Sequence, residues 1–291
     1  MPRVALATSR EVPGLLDDEG LLLRDRLRAR GLDAGPAVWD DPEVAWDAVD
    51  LVLVRSTWDY ALRRTAFLAW ADEVAGRTRL YNPPAVLAWT TDKHYLLELA
   101  DAGLPVVPSA IVEPGGDPDG HPFRAVEHVV KPCVSAGSKD TLRCGADETA
   151  RSAGHVRRLL DAGRPVLVQP YLPAVDEVGE TAVVAFDGVA SHAVRKGALL
   201  TRGAGLVDGL FAAEDITARD PSPAETDVAA RVLDHVTAHL GAAPLYARVD
   251  LLPGADGPLV LEVELAEPSL FLGHAEGAAD RLAAAVAQRL R

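Results

Sequence analysis

Cysteine is scarce. Cys133 and Cys144 are the only two in 291 residues, too few for a disulfide scaffold, and a reducing compartment such as the cytoplasm fits that usage. No apolar run approaches the ~20 residues of a membrane span, and the opening stretch MPRVALATSR lacks the shape of a signal peptide. Positive charge is in deficit: 29 Lys and Arg stand against 43 Asp and Glu, for a net charge of -14. That balance argues against nucleic acid as a partner, while local clusters of Lys and Arg can still hold an anionic small molecule. Two familiar motifs are also missing. There is no GxxxxGK phosphate loop, and no HExxH. His235 and His239 share a helix face, but no third ligand is evident, so no transition-metal site is assigned. Internal repeats and low-complexity tracts are absent, and the composition is that of a globular protein whose core is split over two or three lobes.

What is present centres on Leu245 to Leu272, LYARVDLLPGADGPLVLEVELAEPSLFL. Two apolar runs flank a Pro/Gly/Asp turn, Pro253 to Pro258, which predicts an antiparallel hairpin. With the turn centred on Asp256, Asp250 falls opposite Glu262 and Arg248 opposite Glu264, all four on one face. Val249, Leu251, Leu261, Val263 and Leu265 form the opposite, core-facing side. Three crowded carboxylates repel, and a hard cation such as Mg²⁺, which takes a few carboxylate oxygens and leaves sites open for phosphate, removes the repulsion. The plainer alternative is a solvated sheet face with Arg248 as counter-charge.

In chain order, strands are expected at Arg3–Ala7, Ala34–Trp39 and Leu51–Val54, alternating with helices at Leu21–Ala29 and Phe67–Ala75. That alternation implies a parallel sheet with its function at the carboxyl ends of the strands. The LVLV strand runs into Arg55-Ser56-Thr57-Trp58-Asp59-Tyr60, a polar and aromatic loop that reads as a binding loop or as a capped helix start with Ser56, Thr57 or Asp59 as the cap. Asn82-Pro83-Pro84 marks a lobe boundary. Thr90 or Thr91 is expected to cap the next helix, which places Lys93 in its first turn, where a bound anion would account for a cation at that end. His128–Pro132 reads as a strand carrying Lys131, followed by a small-residue loop with Ser135, Gly137 and Ser138 suited to folding over phosphates. Val166–Gln169, a hairpin around Asp187-Gly188 ending in Arg195 and Lys196, a basic loop Arg202–Gly205, and helices at 225–240 and 276–290 complete the pattern.

In that order the motifs resemble the ATP-grasp ligases over essentially the whole chain: Lys93, Lys131 before the Gly/Ser loop, Val168-Gln169-Pro170-Tyr171-Leu172, an acidic residue, then Asp250 with Glu262 and Glu264. The stretches VLVRSTWDY, NPPAVLAWTTDKHYLLELADAGLPVVPS and YARVDLL…LEVELAEPSLFL resemble the cyclo-ligases of D-cycloserine biosynthesis and their relatives. The resemblance implies an α/β ATP-grasp fold. Its parts are an N-terminal Rossmann-like substrate domain (1–88), a central lid domain (89–168) and a C-terminal metal-binding domain (169–291). It assigns ATP phosphates to Lys93 and Lys131 under the 135–138 loop, and adenine to Gln169, Tyr171 and Leu172. The ribose goes to Glu177 or Glu180, and magnesium to Asp250 and Glu262. Glu264 stands where many members have Asn, which leaves the second metal's coordination in question. Arg248 would face the acyl phosphate, together with Arg195 and Lys196, and Arg55, Ser56, Thr57, Trp58 and Asp59 would hold an amino-acid-like substrate, with Asp59 on its ammonium.

The implied chemistry converts a carboxylate to an acyl phosphate with ATP, after which an amine attacks. In the cyclo-ligases the amine belongs to the same molecule: O-ureido-D-serine loses its ureido carbon as carbon dioxide and ammonia, and the aminooxy nitrogen closes a five-membered ring. A bimolecular carboxylate–amine ligase would use the same ATP residues, so the two remain alternatives at this point. The expected setting is the cytoplasm, with no membrane or nucleic-acid partner and with a homo-oligomer left open.

Overall fold

The computed structural model describes residues 1–198, 200, 215–241 and 243–291; the basic loop Arg202–Gly205 lies outside them. The first unit is a parallel sheet, built from β1 (Arg3–Thr8), β2 (Asp33–Val38), β3 (Leu51–Ser56) and β4 (Arg79–Tyr81) in the order β2-β1-β3-β4. Its strands alternate with α1 (Asp18–Ala29) and α2 (Arg64–Ala75). All six residues of β3 are buried, as expected of an inner strand covered on both faces. Asp17 caps α1 by accepting from Gly20 N, and Gly31 follows the helix at φ 79, a conformation that costs glycine least.

Next come α3 (Pro84–Thr90) and α4 (Tyr95–Asp101). Here the structure departs from expectation. Thr90 and Thr91 end one helix rather than start the next, because Pro84 sits at N1 of α3 and its pre-set φ begins the helix six residues early. Lys93 therefore lies in the link between the helices, ahead of α4. The freed Thr90 hydroxyl donates to Val263 O at 2.8 Å and accepts from Leu265 N at 3.2 Å, tying the link to the metal-expected strand. The helix α3 also runs across residue 88, where a domain edge was expected.

The second unit is an antiparallel sheet of β5 (Ala110–Val112), β6 (His128–Pro132), β7 (Leu142–Cys144) and β8 (Val166–Pro170), ordered β5-β8-β6-β7, with α5 (Thr149–Asp161) packed on one face through Val156, Leu159 and Leu160. The third follows the short α6 (Ala174–Val178). It contains β9 (Glu180–Phe186), β10 (Val189–Lys196), β11 (Ile216–Arg219), α7 (Pro223–Leu240), β12 (Tyr246–Gly254), β13 (Gly257–Glu264) and α8 (Ala278–Arg289), with sheet order β11-β10-β9-β12-β13. Ser222 and Glu225 form a reciprocal capping box at the start of α7.

The two faces of this last sheet differ. Val183, Ala185, Val249, Leu251, Val260 and Val263 bury one face against Val228, Val232 and Val236 of α7. On the other, Val184, Phe186 and Tyr246 pack on Leu282 and Val286 of α8 and on α1. Further along that second face the apolar residues stop, and Lys196, Arg248, Asp250, Glu262 and Glu264 form the floor of a cavity.

The hairpin register holds where it matters and slips elsewhere. Arg248 pairs with Glu264 and Asp250 with Glu262, but a bulge after Asp250 shifts the rest, so Leu251 faces Val260 and Gly254 faces Gly257. The turn is thus centred between Ala255 and Asp256, half a residue short of Asp256. An extra residue in β13 restores the count. Leu261, expected in the core, turns to the cavity, and Val260 takes the core position in its place. No helix among the described residues is long and apolar enough to cross a membrane.

Candidate active site

The cavity is about 400 Å³ and is lined by all three units. Its floor is an alternating lattice of charge. Asp250 accepts from Arg248 Nε at 2.8 Å, from Arg248 Nη2 at 2.9 Å and from Lys196 Nζ at 3.2 Å. Lys196 Nζ also donates to Glu180 at 2.6 Å. Arg248 reaches Glu264 and the Ser269 carbonyl as well. Glu262 sits 3.0 Å from Lys93 Nζ, and that amine also meets the Ser135 carbonyl and hydroxyl at 3.2 Å. Lys131 projects into the same cavity from β6.

The electrostatics follow from burial and pairing. Burial alone would raise Asp250, but Arg248 and Lys196 outweigh it and hold the carboxyl well below its usual range. Glu262 is likewise lowered, since Lys93 and Lys131 overcome its desolvation. Lys93 is raised because Glu262 outweighs the burial that would lower it, whereas burial wins at Lys131 and lowers it. Three carboxyls go the other way. Burial pushes Glu180 up to about 7 against the pull of Lys196, Glu264 up to about 7 against Arg248, and Glu267 up to about 8 with the Glu264 charge adding to the effect. Burial thus keeps protons on part of this carboxyl cluster up to about neutral pH. A divalent cation such as Mg²⁺, which takes hard carboxylate oxygens, would favour the ionised forms, and Asp250, Glu262 and Glu264 line the cavity where one could be held.

The adenine-expected segment lines the cavity from the second sheet. Gln169, Tyr171 and Leu172 all line the cavity. Gln169 Nε2 donates to Ser109 Oγ at 3.0 Å, and the Tyr171 ring lies 3.4 Å from the Arg143 guanidinium carbon. Ser135, Gly137 and Ser138 close the cavity from the loop after β6. Gly137 and Ser138 adopt φ 61 and 59, so backbone amides turn out of any strand ladder and are available to an anion. Asp140 anchors the loop's far end by accepting from Arg158 and Arg164 at 2.7 and 2.6 Å. Of the two ribose candidates, Glu180 lines the cavity, while Glu177 is exposed on α6.

Several expected residues are placed elsewhere. Arg195 does not face the cavity. It alternates with Lys196 on β10 and so points to the opposite side, where Nε donates to Val178 O at 2.7 Å and a guanidinium nitrogen lies 3.6 Å from Asp215. The loop after β3 is mostly committed to packing. Arg55 is 3% exposed and donates to Pro268 O at 2.9 Å, with Glu19 at 3.6 Å. Ser56 donates to Asp17 at 3.0 Å, and Thr57 is fully buried. Asp59, expected on a substrate ammonium, instead accepts from Trp39 Nε1 at 2.9 Å and from Arg63; it caps no helix either, since a 3₁₀ turn from Trp58 to Leu62 starts there without a side-chain cap. From this loop Trp58 reaches the cavity, and so does Tyr60. His235 and His239 stack face to face on α7, 6.0 Å apart, away from the cavity.

Sequence reasoning missed Asp17, Glu267 and Ser269, all of which line the cavity; Tyr60 was included in the Arg55–Tyr60 loop but given no role of its own. The signal for Glu267 was its spacing in EVELAE, directly after the hairpin. It passed unnoticed because strand alternation says nothing about a residue beyond the last strand pair.

Comparison with known proteins agrees with this architecture. Residues 4–82 match the family described as D-cycloserine synthetase DcsG, N-terminal domain. The chain is 41% identical over 282 residues to the cycloserine biosynthesis protein DcsG of Streptomyces lavendulae, an alignment covering 92% of this chain and 93% of that one. The crystal structure of D-cycloserine synthetase DcsG superposes with a TM-score of 0.92 at 38% identity, covering 99% of this chain and 100% of that chain. The ATP-grasp ligase PsnB, complexed with minimal precursor, Mg and ADP, shares the fold at 23% identity and a TM-score of 0.63, covering 98% of this chain and 96% of that one.

Proposed function

The chain belongs to the family of the D-cycloserine synthetase DcsG within the ATP-grasp ligases, and from that premise we propose that it closes O-ureido-D-serine to D-cycloserine, with ADP, phosphate, carbon dioxide and ammonia released. The observation that carries the reading is the cavity's charge lattice: Lys196 and Arg248 interleaved with Asp250, Glu262 and Glu264 on one sheet face, Lys93 and Lys131 reaching in from the α3–α4 link and from β6, and Gln169 to Leu172 lining the same cavity. ATP supplies the phosphoryl group that activates the substrate carboxylate, and bound magnesium offsets the charge that builds on its oxygens.

The chain's own residues do the rest. Lys93 and Lys131 hold the phosphates under the Ser135–Ser138 loop. Gln169, Tyr171 and Leu172 form the adenine slot, and Glu180 takes the ribose. Asp250 and Glu262 hold the metal, with Glu264 beside them. Arg248 faces the activated carboxyl, and its bonds to Asp250 and Glu264 keep the guanidinium fixed before substrate arrives. Trp58 and Tyr60 cover the substrate end and exclude water, which would otherwise hydrolyse the activated acid. The nucleophile is part of the substrate, so orientation replaces capture of a second molecule and supplies a large effective molarity. In this reading residues 1–88, 89–168 and 169–291 act as substrate, lid and metal-binding lobes of a small-molecule enzyme of the cytoplasm.

Incubation with ATP, magnesium and O-ureido-D-serine, with no second amine present, tests the reading. ADP and D-cycloserine should form in equal amounts. ADP formation that requires an added amine would make the enzyme a bimolecular ligase instead.

A further inference from the structure

We propose that Glu267 anchors the substrate's ammonium group, so that the enzyme activates α-amino acids and rejects carboxylic acids lacking the amine. The proposal rests on the ligase reading above and names the recognition element in its substrate pocket.

Glu267 is 8% exposed, and it lines the cavity. The other buried carboxyls of the floor each have a cation within bonding distance: Asp250 has Arg248 and Lys196, Glu262 has Lys93, Glu180 has Lys196 and Glu264 has Arg248. Glu267 has no hydrogen bond or ion pair among the described residues. Of the two guanidiniums whose charge it feels, Arg248 is engaged with Asp250, Glu264 and Ser269 O, and Arg55 uses Nη2 on Pro268 O and Glu19; Arg55 Nη1 is buried without a partner, and it makes no bond to Glu267 either. A carboxyl taken nine-tenths out of water without a donor is unfavourable. A ligand that brings a cation with N–H donors completes it.

The placement suits an α-amino acid. Glu267 lies three residues beyond Glu264 on the segment whose Ser269 carbonyl accepts from Arg248. Glu267, Ser269 and Arg248 line one cavity, so a substrate whose carboxylate meets Arg248 can carry an ammonium on the next carbon toward Glu267. The Glu267 charge is felt by Tyr60, and Tyr60 and Trp58 line the same cavity. Aromatic walls add to the attraction for an ammonium. Asp59, the acid expected on the ammonium, is closed off by Trp39 and Arg63, and Asp17, which also lines the cavity, already accepts from Ser56 Oγ and Gly20 N.

The test uses full-length enzyme and measures ADP release with O-ureido-D-serine, with its des-amino counterpart, and with a small panel of other α-amino acids and their des-amino acids, for wild type and Glu267→Gln. The variant keeps the shape and removes the charge, and an unchanged melting temperature confirms its fold. Wild type should prefer each accepted amino acid over its des-amino form. Glu267→Gln should raise KM for the amino acid by roughly 30-fold or more, leave KM for ATP and the magnesium dependence unchanged, and treat the des-amino acid as wild type does. Equal losses on both substrate forms, or a shifted magnesium requirement, would overturn the proposal, the latter by making Glu267 a metal ligand. If another amino acid is activated in place of O-ureido-D-serine with the Glu267 dependence intact, the cyclo-ligase reading falls and the anchor stands. If the des-amino acids are preferred while ring closure proceeds, the anchor falls alone. Activation of no amino acid in the panel overturns both.

Discussion

Glu262→Gln should weaken the fold. A crowd of carboxylates taken alone predicts the opposite, since removing one charge would relieve repulsion. The structure reverses the sign because Glu262 is the direct counter-charge of a buried amine. Lys93 has a side chain 5% exposed and its Nζ lies 3.0 Å from Glu262, and Glu262 is also the leading attractive charge on buried Lys131. Breaking a buried pair from one side costs about 3–5 kcal/mol. Lys93 retains the Ser135 carbonyl and hydroxyl as acceptors, which places the loss at the lower end, about 3 kcal/mol. The relief of repulsion against Asp250 and Glu264 is smaller, because Arg248 already bonds both. At roughly 2–4 °C per kcal/mol, the melting temperature of nucleotide-free protein falls by about 6–12 °C. The measurement is thermal unfolding of wild type, Glu262→Gln, Lys93→Met and the double variant, without ATP or magnesium. The double variant should be more stable than the sum of the two single losses allows, since each single change leaves one buried charge uncompensated. A Glu262→Gln protein as stable as wild type, or more so, would show that repulsion dominates the floor and would refute the pairing argument.

Other consequences can be checked the same way. Asp59→Asn should lower thermal stability by about 1–3 kcal/mol, through the weakened buried bonds to Trp39 and Arg63, and leave substrate KM unchanged; a selective rise in substrate KM would return this residue to the site. Glu180, Glu264 and Glu267 have folded values raised to about 7, 7 and 8 from 4.5, so the folded state holds protons that the unfolded chain has released. The stability they contribute is complete below 4.5 and is lost as pH rises through 7 to 8, with a slope of at most ~1.4 kcal/mol per unit for each group. Urea unfolding at pH 6 and pH 8 without metal should show the loss, and a flat or rising profile would contradict the burial of these carboxyls. Asp140→Asn removes the charge that Arg158 and Arg164 grip. It should free the Ser135–Thr141 loop, speeding proteolysis there and raising KM for ATP a few-fold, and unchanged cleavage would mean the loop is held by other contacts.

Much of the fold was readable because its determinants are local. The run Leu51 to Val54 is apolar on both faces, and only an inner strand of a covered sheet tolerates that. Gly31 and Gly103 follow their helices at φ 79 and 76, the left-handed conformation that glycine adopts most easily, so these residues marked the helix ends directly. The start of the helix expected at Thr90 was misread for an equally local reason. Two signals competed, a proline able to begin a helix and a threonine able to cap one. The proline prevailed because the Thr90 hydroxyl is used by Val263 and Leu265, 173 and 175 residues away, and no local pattern reports such a partner.

The same division runs through the site. The floor was legible because period-two alternation fixes which side chains of a strand share a face, and the bulge after Asp250 left the Asp250–Glu262 and Arg248–Glu264 pairs in register. Alternation also carried its own correction: if Lys196 faces Asp250, then Arg195 beside it cannot, and the two should not have been grouped. The walls were not legible, because charge in a loop does not say what the charge faces. Asp59 and Glu267 are both acidic and both lie just beyond a strand, yet from sequence only Asp59 was read as a substrate ligand. Its fate was decided by Trp39 and Arg63, which supply the donors a buried carboxylate requires. Nothing supplies them to Glu267 among the described residues. A buried acid that the fold satisfies is a structural residue; one left unsatisfied at a cavity wall has its partner still to come, and that difference becomes visible only when every donor near the carboxyl has been accounted for.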